Sequence, residues 1–154
     1  MNTINESGVA ELPARGCWEL LQAATIGRLA IVVATRPEIF PVNFVVDHDT
    51  VVFRSAPGTK LSGLRGDTSA AFEVDGESTE DSTAWSVVIH GHLEPLISFE
   101  PITTDDLPLY PLQAGAKPQF VRIVPLSITG RRFSIADPET WRVAPELGRP
   151  QLWE

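Results

Sequence analysis

One cysteine, Cys17, stands in 154 residues. A lone thiol makes neither an internal disulfide framework nor a multi-thiolate zinc site, so nothing ties the chain to an oxidising compartment. Basic residues are also scarce: 12 Lys and Arg face 20 Asp and Glu, a formal charge of −8. That balance excludes a general nucleic-acid binder and a protein that coats an anionic membrane, because both depend on basic surface. Long apolar runs are missing. The longest aliphatic stretch, Leu29 to Ala34, falls far short of the roughly 20 residues of a spanning helix, and the opening residues form no basic-then-apolar leader. The expectation is a soluble cytoplasmic domain. No G-x-G-x-x-G, G-x-x-x-x-G-K-S/T or G-x-S-x-G occurs, which removes a Rossmann dinucleotide site, a P-loop and an α/β-hydrolase elbow.

What is present is 43% hydrophobic residues against 21% charged, too apolar for a disordered chain. The length is that of one domain, which buries roughly two-thirds of its extended surface. Met1 to Val9 is polar and aperiodic. Cys17, Leu20, Leu21 and Ala24 then fall at i, i+3, i+4 and i+7, the apolar stripe of a short helix with Pro13 in its first turn and Gly27 closing it. On that stripe Cys17 reads as a packed thiol. After Gly27 the period changes. Leu29 to Ala34, Phe40 to Val46, Val51 to Ser55, Ala70 to Asp75, Trp85 to Leu96 and Phe120 to Phe133 are rich in Val, Ile and Phe and read as strands. Asp47-His48-Asp49-Thr50 has hairpin length, and Arg36-Pro37-Glu38 is expected to make another tight connection. Lys60 to Gly66 is helix-sized, and Ser98 to Pro118 is a Pro-rich excursion.

Six or so strands with two short helices predict an antiparallel β-barrel or sandwich rather than a doubly wound α/β domain. No repeat or linker divides the chain. The expected layout is a flexible stretch over 1–10, a barrel domain over 11–136 and a tail over 137–154 that carries Trp141 and Trp153.

Two clusters could be taken for metal sites. Asp75, Glu77, Glu80 and Asp81 lack the ligand spacing of a calcium loop and read as a solvated turn. His90 and His92 form H-x-H in a strand, so both rings project to one face, with Glu94 next on it. That pair could share a metal or ligate haem iron. The reading preferred over these is a half-exposed polar face opposite Trp85, Val87 and Ile89, with no metal.

The informative stretch is Pro41-Val42-Asn43-Phe44 followed by Val51 to Leu61. A strand runs out at Ser55 into Pro57-Gly58, and a helix is predicted to begin near Thr59, a fair N-cap. Free backbone N–H groups, the helix dipole, the Lys60 ammonium, the Ser55 and Thr59 hydroxyls and Arg54 or Arg65 are together what a phosphate dianion needs. Charge-assisted hydrogen bonds contribute about 1.5–3 kcal/mol each. Two or three supply a large part of the roughly 8 kcal/mol of micromolar binding. On this segment alone an ordinary strand-to-helix corner with a solvated lysine is an equal reading.

The order of the whole chain favours the first. Trp18-Glu19-Leu20-Leu21, Ile26-Gly27-Arg28-Leu29-Ala30, Pro41-Val42-Asn43-Phe44, Phe53-Arg54-Ser55, Gly58-Thr59-Lys60-Leu61, Ala71 to Asp75, Trp85 to His92 and Ile128 to Arg132 follow one another at characteristic spacing. In this order the chain resembles the pyridoxamine 5′-phosphate oxidase-like flavin-binding split barrels. The resemblance implies a mainly β fold, a split antiparallel barrel of Greek-key type with a few short helices. It implies a flavin-dependent oxidoreductase with FMN as cofactor. Deazaflavin F420 is the alternative, its polyglutamate tail served by Arg28, Arg36, Arg54, Lys60 and Arg65. A non-catalytic flavin- or haem-binding protein is the other alternative. By resemblance Ser55, Thr59 and Lys60 hold the cofactor phosphate, with Phe53 and Arg54 leading into that corner. Val42 and Asn43 lie along the ring and ribityl chain, and Trp85 and Ser86 reach the ring from the second subunit of a homodimer. Arg131 matches a basic position near the barrel's end. The C-terminal arginine–histidine pattern of the vitamin B6 oxidases is not found, so the small-molecule substrate stays open.

Overall fold

The computed structural model of the chain describes residues 8–55, 68–96 and 119–137. Strand β1 (Val9–Leu12) precedes helix α1 (Ala14–Ala23), and six strands follow: β2 (Ile26–Val33), β3 (Arg36–Asp47), β4 (Thr50–Ser55), β5 (Ser69–Ser78), β6 (Thr83–Pro95) and β7 (Gln119–Ser134). The strand order is β1-β7-β4-β3-β2-β5-β6, every pairing is antiparallel, and β6 also pairs with β7. That last pairing closes six strands into a barrel, the split-barrel architecture expected. β7 makes closure possible by its length of 16 residues. Its start pairs with β4, its end with β1, and β6 runs beside nearly all of it.

The barrel interior is apolar because the strands alternate. On β2, Gly27, Leu29 and Ile31 face in while Ile26, Arg28 and Val32 face out. Phe53, Phe72, Leu29, Val87, Ile89 and Ile123 are fully buried, and Phe44 meets Phe72 edge to face at 4.9 Å. α1 covers one end of this core with Cys17 and Leu21. Cys17 is the packed thiol expected: burial pushes it up from its ordinary pKa, and its Sγ lies 3.9 Å from the Leu12 carbonyl.

The structure corrects several details. Val9 and Ala10, placed in the flexible N-terminal stretch, belong to β1, and Ala10 is buried beside Arg132 of β7. α1 ends at Ala23, and Gly27 lies inside β2 rather than closing the helix. A Cβ there would collide with the Phe72 ring. The turn between β2 and β3 is Ala34-Thr35, both at positive φ, with Val33 opposite Arg36. Pro37 therefore sits in β3, where the alternation turns its nitrogen, like that of Pro41, away from β2 and toward the stretch that β4 does not pair. The helix predicted over 60–66 and the excursion over 98–118 lie outside the described residues, as do Trp141 and Trp153. Among the described residues no helix is long and apolar enough to cross a membrane.

The second hairpin is as expected. His48 and Asp49 take positive φ, and Asp47 faces Thr50. A polar network ties this turn to β7: Arg122 Nη1 donates to Asp47 Oδ2 at 3.0 Å and to Thr50 Oγ1 at 2.6 Å, while His48 Nδ1 lies 2.7 Å from Asp47 Oδ1. Burial pushes the Asp47 carboxyl up, but the hydrogen bonds from His48 and Arg122, with the Arg122 charge, outweigh it and hold the pKa below the ordinary value. A depressed carboxyl contributes stability above its unfolded-state pKa, and that contribution is lost as pH falls through the folded-state value. Asp47→Asn is therefore expected to cost about 1 kcal/mol near neutrality. Urea melts below the usual aspartate range should show the difference between the two proteins closing. A constant difference at all pH values would assign the loss to shape rather than charge.

Candidate functional site

The residues singled out by sequence divide between the two faces of the barrel wall. Val42, Phe53 and Trp85 face inward. Phe53 is wholly in the core, Val42 and Trp85 pack against it, and the Trp85 ring lies over Gly76, where a Cβ would come within 2.6 Å. Asn43, Arg54, Ser86 and Arg131 lie on the outer face by strand alternation. The Arg54 guanidinium is stacked 5.8 Å from the centre of the Phe120 ring. The backbone of Ser55 pairs with Gln119 at the end of β4. Thr59 and Lys60 lie outside the described residues.

The outer face can be read row by row from the strand register. One row runs Pro41, Arg28, Glu73, Val88 and Thr129; the next runs Ile39, Ala30, Ala71, His90 and Ser127. Asp75 faces Ser86, and Ser86 faces Arg131. The structure thus makes Ser86 and Arg131 neighbours and leaves Asn43 three strands away, roughly 14 Å at the usual inter-strand spacing.

Sequence reasoning missed two features of this face. The first is an ionic cluster: Arg28 Nη2 donates to Asp75 Oδ1 at 2.9 Å, and its Nε lies 3.6 Å from Glu73 Oε2. Burial pushes Glu73 up and Asp75 adds to this, with Arg28 opposing. The second is an apolar stripe. Val32 and Ile39 are each 68% exposed and Ile26 is 56% exposed, with Pro37 and Pro41 beside them. Outward positions of a solvated sheet are ordinarily polar, so bulky aliphatics there break the alternation, a signal that was present in the sequence.

The acidic cluster is only partly a turn. Asp75 and Glu77 belong to β5, whereas Glu80 and Asp81 form the connection to β6. Asp81 Oδ1 accepts from the Thr83 hydroxyl at 2.7 Å, which holds its pKa down. His90 and His92 share the outer face, as expected, and His92 Nε2 lies 3.1 Å from Glu94 Oε1. Among the described residues no group of three or more His, Cys, Asp or Glu side chains is placed to hold a metal ion.

Comparison with known proteins bears on the family and the fold. The family model described as pyridoxamine 5′-phosphate oxidase matches residues 13–132. An uncharacterized protein of Mycobacterium tuberculosis is 32% identical over 110 residues, 71% of this chain and 91% of that protein. Among solved structures, the FAD-binding protein of Mycobacterium smegmatis superposes with a TM-score of 0.72 at 36% identity, covering 82% of this chain and 99% of the other. A conserved protein of unknown function from Corynebacterium diphtheriae gives 0.69 at 33% identity, covering 82% and 98%. With the family match spanning most of the chain and relatives above 30% identity sharing its fold, the chain belongs to the pyridoxamine 5′-phosphate oxidase family.

Proposed function

We propose that this protein is a flavin-dependent oxidoreductase that works as a homodimer, holding FMN where the outer faces of two barrels meet. The observation that carries the reading is the exposed stripe of Ile26, Val32 and Ile39 ending beside Asn43. This strip reaches Asn43 through Pro41, with Arg28 opposite Pro41. An apolar strip with an amide at its edge suits a planar ring whose rim bears hydrogen-bonding atoms, while a second copy would take the strip out of water. Asn43, Ser86 and Arg131 present an amide, a hydroxyl and a guanidinium, a donor set that fits such a rim and its side chain. The separation of Asn43 from Ser86 and Arg131 within one barrel favours a ligand that meets Asn43 of one copy and Ser86 of the other. Lys60, with Ser55 and Thr59, would hold the phosphate.

The bound flavin supplies the hydride or electron chemistry, while the chain binds, orients and screens it from water. FAD is a further candidate because the Mycobacterium smegmatis relative binds it. The F420 alternative loses support from Arg28, which is already engaged by Asp75 and Glu73 rather than free to line a basic groove.

Absorbance spectra of the purified protein titrated with FMN, FAD, F420 and haemin test the reading. FMN is expected to bind; binding of none of the flavins would overturn it. Lys60→Ala is expected to weaken FMN binding at least about tenfold, the worth of one charge-assisted hydrogen bond. Unchanged affinity would remove Lys60 from the phosphate site.

A further inference from the structure

We propose that the hollow between α1 and the end of β7 is a binding site for a small amphipathic carboxylate. The hollow has a volume of about 320 Å³ and is lined by Leu12, Pro13, Gly16, Glu19, Leu20 and Arg132. Ligand pockets start near about 300 Å³, so a molecule of a few carbons fits. Leu12, Pro13 and Leu20 make an apolar wall. Gly16 contributes no side chain, and a Cβ added there would meet only Pro13, at an ordinary 3.6 Å.

The charged groups decide the ligand's polarity. Arg132 pairs with Trp85 and with the buried Ala10, on the barrel side of β7, whereas Arg131 points outward. It is half-buried, and no carboxylate of the described residues is bonded to it. The acid of the hollow, Glu19, is already engaged by Arg15 at 3.2 Å. The unmatched group is thus a guanidinium beside an aliphatic wall. Its planar fork of donors matches a carboxylate, and its partial burial strengthens that pairing. An alkyl body would lie on Leu12 and Leu20 while the carboxylate meets Arg132.

The test titrates hexanoate, with hexanol as the uncharged probe, and follows the backbone amide resonances of Gly16 and Leu20. Hexanoate is expected to shift them saturably and to bind about tenfold or more tighter than hexanol, as one charge-assisted pair requires. Arg132→Gln should abolish that preference. Gly16→Leu fills the hollow where there is room and improves helix propensity, so it should fold and lose hexanoate. Equal binding of the two probes would overturn the proposal. So would hexanoate affinity unchanged by either substitution, and if Arg132→Gln does not fold, Gly16→Leu decides alone.

Discussion

Phe72→Ala is expected to lower the free energy of unfolding by about 3–5 kcal/mol, the range for removing a fully buried phenylalanine ring. Phe72 is fully buried on β5 and meets Phe44 edge to face, with ring planes at 75°. Its ring occupies the space in front of Gly27, and Val74 closes the neighbouring side. Removing it leaves a void walled by the main chain of β2, which cannot move inward without breaking its pairing with both β3 and β5. The collapse that softens many such substitutions is therefore blocked. A domain of this size is stable by about 5–15 kcal/mol, so the loss is a large share of the total. Denaturant titration should show the midpoint falling at constant slope. Gly27→Ala alone should also destabilise, yet be better tolerated in the Phe72→Ala background, because the space its methyl needs is then empty. Additivity of the two changes, or a loss below about 1 kcal/mol for Phe72→Ala, would show that the core rearranges instead.

Gly91→Ala is the second large effect. β6 and β7 slip register at this point: His90 faces Ser127 but Gly91 faces Pro125, leaving Leu126 unpaired and 79% exposed. A β-bulge of this kind bends the wall of a barrel. A methyl on Gly91 would strike the carbonyl oxygen of Val124. That atom is main chain, so no rotamer relieves the contact. A loss of about 3 kcal/mol is expected, at the upper end for overpacking. In a thermal melt it corresponds to roughly 10 °C. An unchanged melting temperature would mean that the bulge shifts along β7 to accommodate the methyl.

Much of this architecture was legible in residue order because burial leaves a period of two in strands and a stripe in helices. The segments from Leu29 to Phe133 that read as strands are strands apart from their ends at Ala34 and Leu96, and the Cys17-Leu21 stripe is the buried side of α1. What failed had one cause: roles set by distant neighbours. β1 is four residues long and carries no period of its own; only its pairing with β7 makes it a strand. Pro37 looked like a turn residue because nothing local reveals that one side of β3 is unpaired there. Gly27 looked like a helix terminator, although its reason is the Phe72 ring from β5. For the candidate site, alternation could place Asn43, Ser86 and Arg131 outward. It could not place Arg28 beside Asp75, since that contact depends on the register of β2 against β5.

The length and position of β7 also bear on how the protein is made. The last described strand to leave the ribosome is the one that joins β1, β4 and β6. Until it emerges, β4 and β6 are open sheet edges, and β1 has no partner among the described strands. Open edges invite pairing with other chains, and closing a barrel through contacts between distant parts of a chain is slow. The vulnerable interval for this barrel is thus the time between the synthesis of β6 and that of β7. Any condition that delays translation between β6 and β7 prolongs the exposure of an unfinished barrel.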